Sequence, residues 1–148
     1  MIQGKWFSPG ADISEALEIR HAVFGETGEE TDMQGWNVLI FNNDLPVATG
    51  RIWWSDGSFW LGKIGVIKEY RGLGLGDLAL RLLLFKAQSH SASEVRLVSP
   101  EDLTGFFSRL GFQPSGISGS GVEMSIRGSD IDLDTCRNCR KQNCTNRH

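Results

Sequence analysis

A glycine-rich segment in the middle of this 148-residue chain constrains its fold more than any other feature. The segment KEYRGLGLGD, residues 68–77, carries glycine at three alternate positions, 72, 74 and 76. It follows an apolar stretch typical of a strand and precedes leucines at helical spacing. Alternate glycines let the backbone turn sharply, and the first turn of a helix has N–H groups without intrahelical partners. The order strand, glycine loop, helix therefore predicts an anion site, most simply for a phosphate. A glycine-rich turn without a ligand is the alternative.

Two other phosphate-loop patterns overlap this region, and the sequence argues against both. Residues 57–63 have the glycine-to-lysine spacing of a Walker loop, but Ile64 stands where that loop needs serine or threonine. Gly74, Gly76 and Ala79 fit the loose dinucleotide-binding pattern, and Glu94 follows near the expected distance. Glu94 begins the next predicted strand, however, and too little chain follows for further strand–helix–strand units.

Hydrophobic periodicity predicts one domain that contains both helices and strands. Asp12 and Glu15 have the spacing of a capping box before the first predicted helix. Only the segment from the third to the fourth predicted strand has the composition of a parallel strand–helix–strand crossover. The predicted order is a helix at 13–24, strands at 36–41, 47–54 and 59–67, a helix at 74–89, a strand at 94–98, a helix at 101–110, and strands at 112–117 and 121–126.

Three stretches of the sequence resemble one known family. The pattern RxxGxG at residues 71–76 is similar to the Arg/Gln-x-x-Gly-x-Gly/Ala loop of the GNAT family of N-acetyltransferases, and residues 61–72 resemble that family's central strand and loop throughout. FFSRLGF, residues 106–112, resembles the family signature Phe-Tyr-x-x-Leu-Gly-Phe. RHAVF, residues 20–24, followed by an acidic loop, resembles the N-terminal end of the family's domain.

The resemblance implies both a fold and a domain boundary. Residues 1–128 are expected to form an α/β acetyltransferase domain with the acyl-CoA N-acyltransferase fold. This fold has a mixed, mostly antiparallel central sheet with one splayed pair of parallel strands and flanking helices. Residues 129–148 lie outside the resemblance and form a basic, cysteine-containing C-terminal tail.

The resemblance also implies acetyl-CoA as co-substrate. In the family the pantetheine arm pairs with the splayed central strand, whose bulge would fall at Gly65, and the glycine loop holds the pyrophosphate. The backbone N–H of Val66 would polarise the thioester carbonyl, and the guanidinium of Arg71 is expected at a phosphate. The implied cofactor-binding residues are Ile64, Gly65, Val66, Arg71, Gly72, Leu73, Gly74, Leu75, Gly76 and Asp77.

The catalytic residues are unknown from the sequence, because this chain departs from the family there. Phe107 stands at the tyrosine position often assigned as the acid for the leaving thiolate, and Pro100 stands at a position often filled by asparagine. Four acids fall where the fold usually forms a wall of the acceptor pocket, although a solvated acidic loop accounts for them equally well. These acids are Glu26, Glu29, Glu30 and Asp32.

The function implied by the resemblance is transfer of the acetyl group of acetyl-CoA to a primary amine by direct attack. The acceptor would be a small-molecule amine or a peptide amine. The alternative is a catalytically weak acyl-CoA-binding sensor or interaction protein, with a metal- or redox-responsive cysteine tail. A homodimer is left open.

The three cysteines of the chain all lie in its last thirteen residues. Their spacing, with a terminal histidine, suits a tetrahedral zinc site, and the cysteines alone suit an iron–sulfur cluster. A redox or disulfide role and a disordered basic tail are the alternatives. The candidate metal ligands are Cys136, Cys139, Cys144 and His148.

Charge and hydropathy exclude two classes of partner. Residues 136–148 carry four cations and no acid, so the rest of this chain of net charge −3 is acidic and unsuited to binding nucleic acid. The longest apolar stretch, residues 78–85, is interrupted by Arg81 and is far shorter than a membrane span. The N-terminus lacks the pattern of a signal peptide, which favours a cytoplasmic protein.

Overall fold

The computed structural model describes residues 2–25, 35–119 and 121–133. Short 3-10 turns cover Lys68–Tyr70, Glu101–Leu103 and Gly128–Asp130. The strands are β1 (Ile2–Phe7), β2 (Trp36–Asn42), β3 (Leu45–Ser55), β4 (Ser58–Val66), β5 (Glu94–Ser99), β6 (Gln113–Ser118) and β7 (Gly121–Arg127). The helices are α1 (Ser14–Phe24), α2 (Leu75–Ser89) and α3 (Thr104–Ser108). None of the helices in these parts of the chain is long and apolar enough to span a membrane.

The strands form one seven-stranded sheet in the order β1-β2-β3-β4-β5-β7-β6. Its neighbouring strands are antiparallel except for β4 and β5, which α2 connects as a parallel pair. Phe59 pairs with Val95 and Trp60 with Arg96. Beyond Trp60 the two strands separate within the described residues, although β4 continues to Val66. The predicted mixed sheet with a splayed parallel pair is therefore confirmed.

The two long helices cover opposite faces of the sheet. Val38 and Ile40 of β2 belong to the clusters that pack against α2, whereas Leu39 packs against α1. Consecutive residues of a strand point to opposite faces, so α1 and α2 lie on opposite sides. The leucine spacing of α2 explains its packing, because one face buries most of the apolar side chains. Those buried residues are Leu75, Ala79, Leu80, Leu83, Leu84 and Ala87.

Arg20 fastens α1 to the sheet. Its side chain is only 1% exposed. Its Nη2 donates hydrogen bonds to Asn37 Oδ1, to Thr49 Oγ1 at 3.2 Å and to the carbonyl of Gly50 at 3.4 Å. These acceptors offset part of the cost of burying the guanidinium. The helix therefore holds β2 and β3 in register behind the splayed strand.

In the N-terminal region one strand was missed and one sequence prediction is wrong. β1 was not expected, because this edge strand is mostly exposed and lacks alternating apolar residues, so that only its pairing with β2 reveals it. The capping box is also absent from the helix start, because α1 begins with Ile13 as its N-cap. Asp12 instead accepts a hydrogen bond from the backbone N–H of Ser14 at 3.0 Å, which lowers the pKa of the Asp12 carboxyl.

The predicted helix at 101–110 is shorter in the structure. A 3-10 turn at Glu101–Leu103 precedes α3, which has five residues. Gly105 lies within this helix, where glycine costs more backbone entropy than alanine. Gly111 follows with φ +104°, a left-handed conformation that ends the turn.

We expect Gly128→Ala to destabilise the fold, because a Cβ at this position would lie 1.8 Å from the carbonyl oxygen of Ala92. The N–H of Gly128 donates to the carbonyl of Ser93 at 2.8 Å, so the backbones cannot separate without losing this bond. The free energy of unfolding should fall by about 2–3 kcal/mol or more in urea denaturation. Gly105→Ala is the matched control, because nothing lies within 4 Å of its Cβ position. Equal stability of the two variants would contradict the close approach.

Candidate cofactor-binding site

Two adjoining cavities open where β4 and β5 separate. The larger has a volume of about 740 Å³ and is lined by the glycine loop, from Tyr70 to Asp77. The smaller has a volume of about 390 Å³ and is lined by the end of β4 and by Phe106 and Phe107. Five residues line both cavities, which meet there as the two ends of one open cleft. The shared wall consists of Val66, Arg71, Gly76, Leu103 and Phe106.

The glycine loop has the backbone geometry that its sequence predicts. Gly72 has φ +83° and Gly74 has φ +80°, values that residues with a Cβ rarely adopt. Gly74 is the N-cap of α2, and its carbonyl accepts a hydrogen bond from the N–H of Leu78 at 3.0 Å. The N–H groups of the first helical turn follow directly and face no earlier carbonyl of the helix. The loop therefore combines N–H donors with the positive end of the helix dipole, as an anion site requires.

Gly76 controls the width of the passage between the two cavities. It lies in the first turn of α2, and a Cβ there would lie 3.8 Å from both Phe106 Cζ and Val66 Cγ2. These distances are ordinary contacts for a methyl group, and a longer side chain would extend into the space where the two cavities meet. The glycine therefore keeps open the space between helix α2, strand β4 and Phe106.

The carboxylate of Asp77 is turned to a cation of its own helix. Arg81 Nε donates to Asp77 Oδ2 at 2.9 Å, and Arg81 Nη1 donates to the carbonyl of Leu133 at 3.2 Å. This ion pair offsets the negative charge that Asp77 places beside a predicted anion site. The backbone N–H of Asp77, rather than its carboxylate, is therefore the group available to a ligand in the cleft.

The bulge of β4 lies at Lys63 rather than at Gly65, so the predicted bulge position is wrong. Thr49 of β3 pairs with Gly65 and Arg51 with Gly62, which leaves one extra residue on β4 between these pairs. Lys63 has φ +55° and absorbs this extra residue. Gly65 itself is buried and regularly paired, two residues beyond the distortion. Sequence reasoning chose Gly65 because glycine is the usual residue at such a position.

The backbone of Val66 faces away from β3. The N–H of Ile67 donates to the carbonyl of Val47 at 3.0 Å, and antiparallel pairing alternates, so the polar groups of Val66 point to the other side of β4. That side is the gap left by β5. The carbonyl of Val66 accepts a hydrogen bond there from Arg71 Nε at 3.0 Å. Arg71 thus lies at the junction of the two cavities, joined to the strand end by this hydrogen bond.

No acid or base for catalysis lies among the described residues that line the smaller cavity. Its only charged side chain there is Arg71. Phe107 is 7% exposed and packs edge-to-face with Phe106 and Phe112, at ring-centroid distances of 5.1 and 6.1 Å. Tyr70 lines the larger cavity. The side chain at the family's tyrosine position is therefore a packed phenyl ring without a hydroxyl group.

Sequence reasoning missed Leu103 and Val23 as lining residues. Leu103 lines both cavities although it is 45% exposed, and Val23 brings the last turn of α1 to the smaller one. The sequence alone does not show that an apolar side chain on an exposed turn, such as Leu103, lines a cavity.

Glu94 is the acid of the rejected dinucleotide pattern. Its carboxylate accepts a hydrogen bond from Arg96 Nε at 2.7 Å, which raises the pKa of the Arg96 guanidinium.

Two groups of predicted site residues lie outside the described residues. These are the acidic residues Glu26, Glu29, Glu30 and Asp32, and the candidate metal ligands Cys136, Cys139, Cys144 and His148. Within residues 2–25, 35–119 and 121–133, no group of three or more histidine, cysteine or acidic side chains is arranged to hold a metal ion.

Comparison with known proteins agrees with this geometry. Residues 6–112 match the model of the acetyltransferase (GNAT) family. The protein YyaT of Bacillus subtilis (strain 168) is 30% identical over 116 residues, which cover 71% of this chain and 78% of YyaT.

Solved structures share the fold at lower identity. Escherichia coli ElaA has a TM-score of 0.71 and 23% identity, over 84% of this chain and 99% of ElaA. The PaiA N-acetyltransferase of Thermoplasma acidophilum, in complex with coenzyme A, has a TM-score of 0.69 and 14% identity, over 86% of this chain and 99% of PaiA. The alternative of a sensor or interaction protein gains no support from these matches. The chain belongs to the acetyltransferase (GNAT) family, whose members are acetyl-CoA-dependent N-acetyltransferases.

Proposed function

We propose that the protein transfers the acetyl group of acetyl-CoA to the primary amine of a small molecule or a peptide. The observation that carries this proposal is the continuity of two unlike cavities at the splayed strands. One end is an anion site built from N–H groups, and the other is an apolar space beside β4. This combination suits a donor with a charged pyrophosphate and a thioester at the far end of a flexible arm. A related fold, PaiA, has been solved in complex with coenzyme A.

Along the cleft, the residues suited to each part of acetyl-CoA follow the order of those parts in the molecule. The N–H groups of residues 71–77 suit the pyrophosphate, together with the guanidinium of Arg71. The pantetheine arm suits the gap beside β4, where the polar backbone groups of Val66 face away from β3. Ile64 and Gly65 continue the wall towards the apolar end.

The proposed reaction is direct attack of the amine on the thioester. The nitrogen lone pair forms a C–N bond with the carbonyl carbon, and the C–S bond breaks with its electron pair leaving on sulfur. The nitrogen loses one proton, and the thiolate gains one. The N–H of Val66 is the proposed donor to the carbonyl oxygen as negative charge develops there. A thiol with a pKa of about 8.5 is a good leaving group, so water suffices to protonate it where Phe107 cannot.

The direct test is thiol release from acetyl-CoA in the presence of a panel of small amines and peptides. We expect release that depends on the amine, together with a product whose mass has grown by one acetyl group. Coenzyme A binding without turnover across the panel would contradict the proposal and favour a sensor. Full-length protein should be used, so that residues 26–34 and the tail are present.

Arg71→Ala is expected to weaken the affinity for CoA by about 10-fold or more, because a charge-assisted hydrogen bond to phosphate is lost. Acetylpantetheine lacks the pyrophosphate, so its affinity should change by much less in the same variant. Titration calorimetry with both ligands separates these effects. Equal weakening of both would mean that Arg71 acts only by holding the carbonyl of Val66.

We also propose that residues 129–148 form a basic, cysteine-containing tail that follows the acetyltransferase domain of residues 1–128. Its first residues pack on α2, since Gln88 Nε2 donates to the carbonyl of Ile131 at 3.4 Å and Ile131 is buried. Cys136, Cys139, Cys144 and His148 remain candidate ligands for zinc, and the cysteines for an iron–sulfur cluster. Metal analysis of protein purified without added metal tests this, and a metal-free product would contradict it.

A further inference from the structure

The smaller cavity is larger than an acetyl thioester requires. The thioester, the acetyl methyl, the two methylenes of the pantetheine arm next to sulfur and the attacking amine with its carbon amount to eight non-hydrogen atoms. If each takes the volume of a water molecule in the liquid, about 30 Å³, they fill about 240 Å³. That leaves about 150 Å³ of the 390 Å³ cavity, room for about five further atoms.

The walls of this cavity suit hydrocarbon. Ile64, Val23 and Leu103 contribute aliphatic side chains, and Phe106 and Phe107 contribute aromatic rings. Phe107 removes the hydroxyl that the family signature places in this helix. Arg71, the one charged residue among the described lining, directs its Nε to the carbonyl of Val66. Each methylene that such an apolar wall buries raises the binding affinity by about fourfold.

The apolar group that fills this cavity fits better as part of the acyl donor than as part of the amine acceptor. Val66, Gly76 and Phe106 line both this cavity and the glycine-loop cleft, so the two meet at these residues. A chain that continues from a thioester at this junction enters the apolar space directly. We propose that the enzyme accepts linear acyl groups of about four to six carbons, and binds such donors better than acetyl-CoA. This inference rests on the acyltransfer proposed above, with the same bonds formed and broken and the longer acyl group moved in place of acetyl.

The test uses stable thioether analogues, in which an alkyl group on the CoA sulfur replaces the acyl group. S-ethyl-, S-butyl- and S-hexyl-CoA are titrated calorimetrically against CoA itself, in the absence of any amine. We expect S-butyl-CoA to bind about 10-fold more tightly than S-ethyl-CoA, from two further buried methylenes. S-hexyl-CoA should bind at least as tightly as S-butyl-CoA. Because no acceptor is present, an apolar arm on the acceptor cannot produce this result.

Val23→Phe tests whether the gain comes from this cavity. The larger side chain should abolish the chain-length preference, and circular dichroism and the urea midpoint show whether the variant is folded. Val98→Phe is the matched control, because Val98 is exposed and lines neither cavity. It should keep the full preference.

The outcomes separate this inference from the proposed function. Equal affinity for all the alkyl analogues, or weaker binding of the longer ones, overturns the inference and leaves acetyl transfer standing. A preference that survives in Val23→Phe also overturns it, because the chain would then bind elsewhere. Failure of CoA and every analogue to bind overturns the proposed function and the inference with it.

Discussion

Gly76→Phe is expected to reduce the affinity for CoA by at least about 100-fold, whereas Gly76→Ala should stay within about threefold of the wild type. A Cβ at residue 76 meets Phe106 and Val66 at 3.8 Å, so alanine fits and a benzyl group does not. The ring must occupy the passage that joins the two cavities. Because this passage is where the pantetheine arm is proposed to lie, steric exclusion removes binding. Titration calorimetry with CoA measures both variants.

Gly76 is a cleaner test of the loop than Gly74. Gly74 has φ +80°, so a side chain there adds backbone strain of about 1–2 kcal/mol to any effect on binding. Gly76 has no such constraint, and its position in the first turn of α2 accepts any residue that space allows. Circular dichroism and the urea midpoint should match between the alanine and phenylalanine variants. A folded Gly76→Phe variant that binds CoA like the wild type would refute the assignment of the cleft.

The sequence predicted the parts of the fold that depend on local pattern. Helix α2 and the glycine loop before it can be predicted from a few neighbouring residues, because helical spacing and left-handed turns are local requirements. The splayed pair β4 and β5 came from the resemblance. β1 was missed because this exposed edge strand has no apolar alternation, and its pairing partners in β2 are distant in the chain, from Asn42 opposite Ile2 to Asn37 opposite Phe7.

The site was predictable to the level of the backbone and no further. Residues 71–77 all line the larger cavity, as the loop pattern implied. The bulge was placed at Gly65 instead of Lys63, because glycine is the usual residue for φ > 0 whereas the register with β3 decides the position. Val23 and Leu103 reach the smaller cavity from separate elements. Only tertiary packing brings these elements together, and a single sequence does not encode it in a readable pattern.

The pH dependence of the proposed reaction is expected to follow the acceptor alone. The described lining of the smaller cavity contains no carboxylate, imidazole, thiol or phenol that could accept the proton of the amine. We therefore expect the amine to arrive neutral. For an alkylamine with a pKa of about 10.4, the neutral fraction rises tenfold for each pH unit below that value. A plot of log kcat/KM against pH should rise with a slope of one from about pH 6 to 9, and level off only near the pKa of the amine.

Changing the acceptor is the matched control for this prediction. An amine whose pKa is two units lower should reach its plateau two units earlier, because the described lining of the smaller cavity contributes no titrating group. A plateau that stays at one pH for both amines would contradict the prediction and show a general base on the protein. Replacing Glu26, Glu29, Glu30 and Asp32 together by their amides then identifies its source. If that variant regains the slope of one, the base belongs to the acidic segment, and the neutral-amine mechanism is wrong for this enzyme.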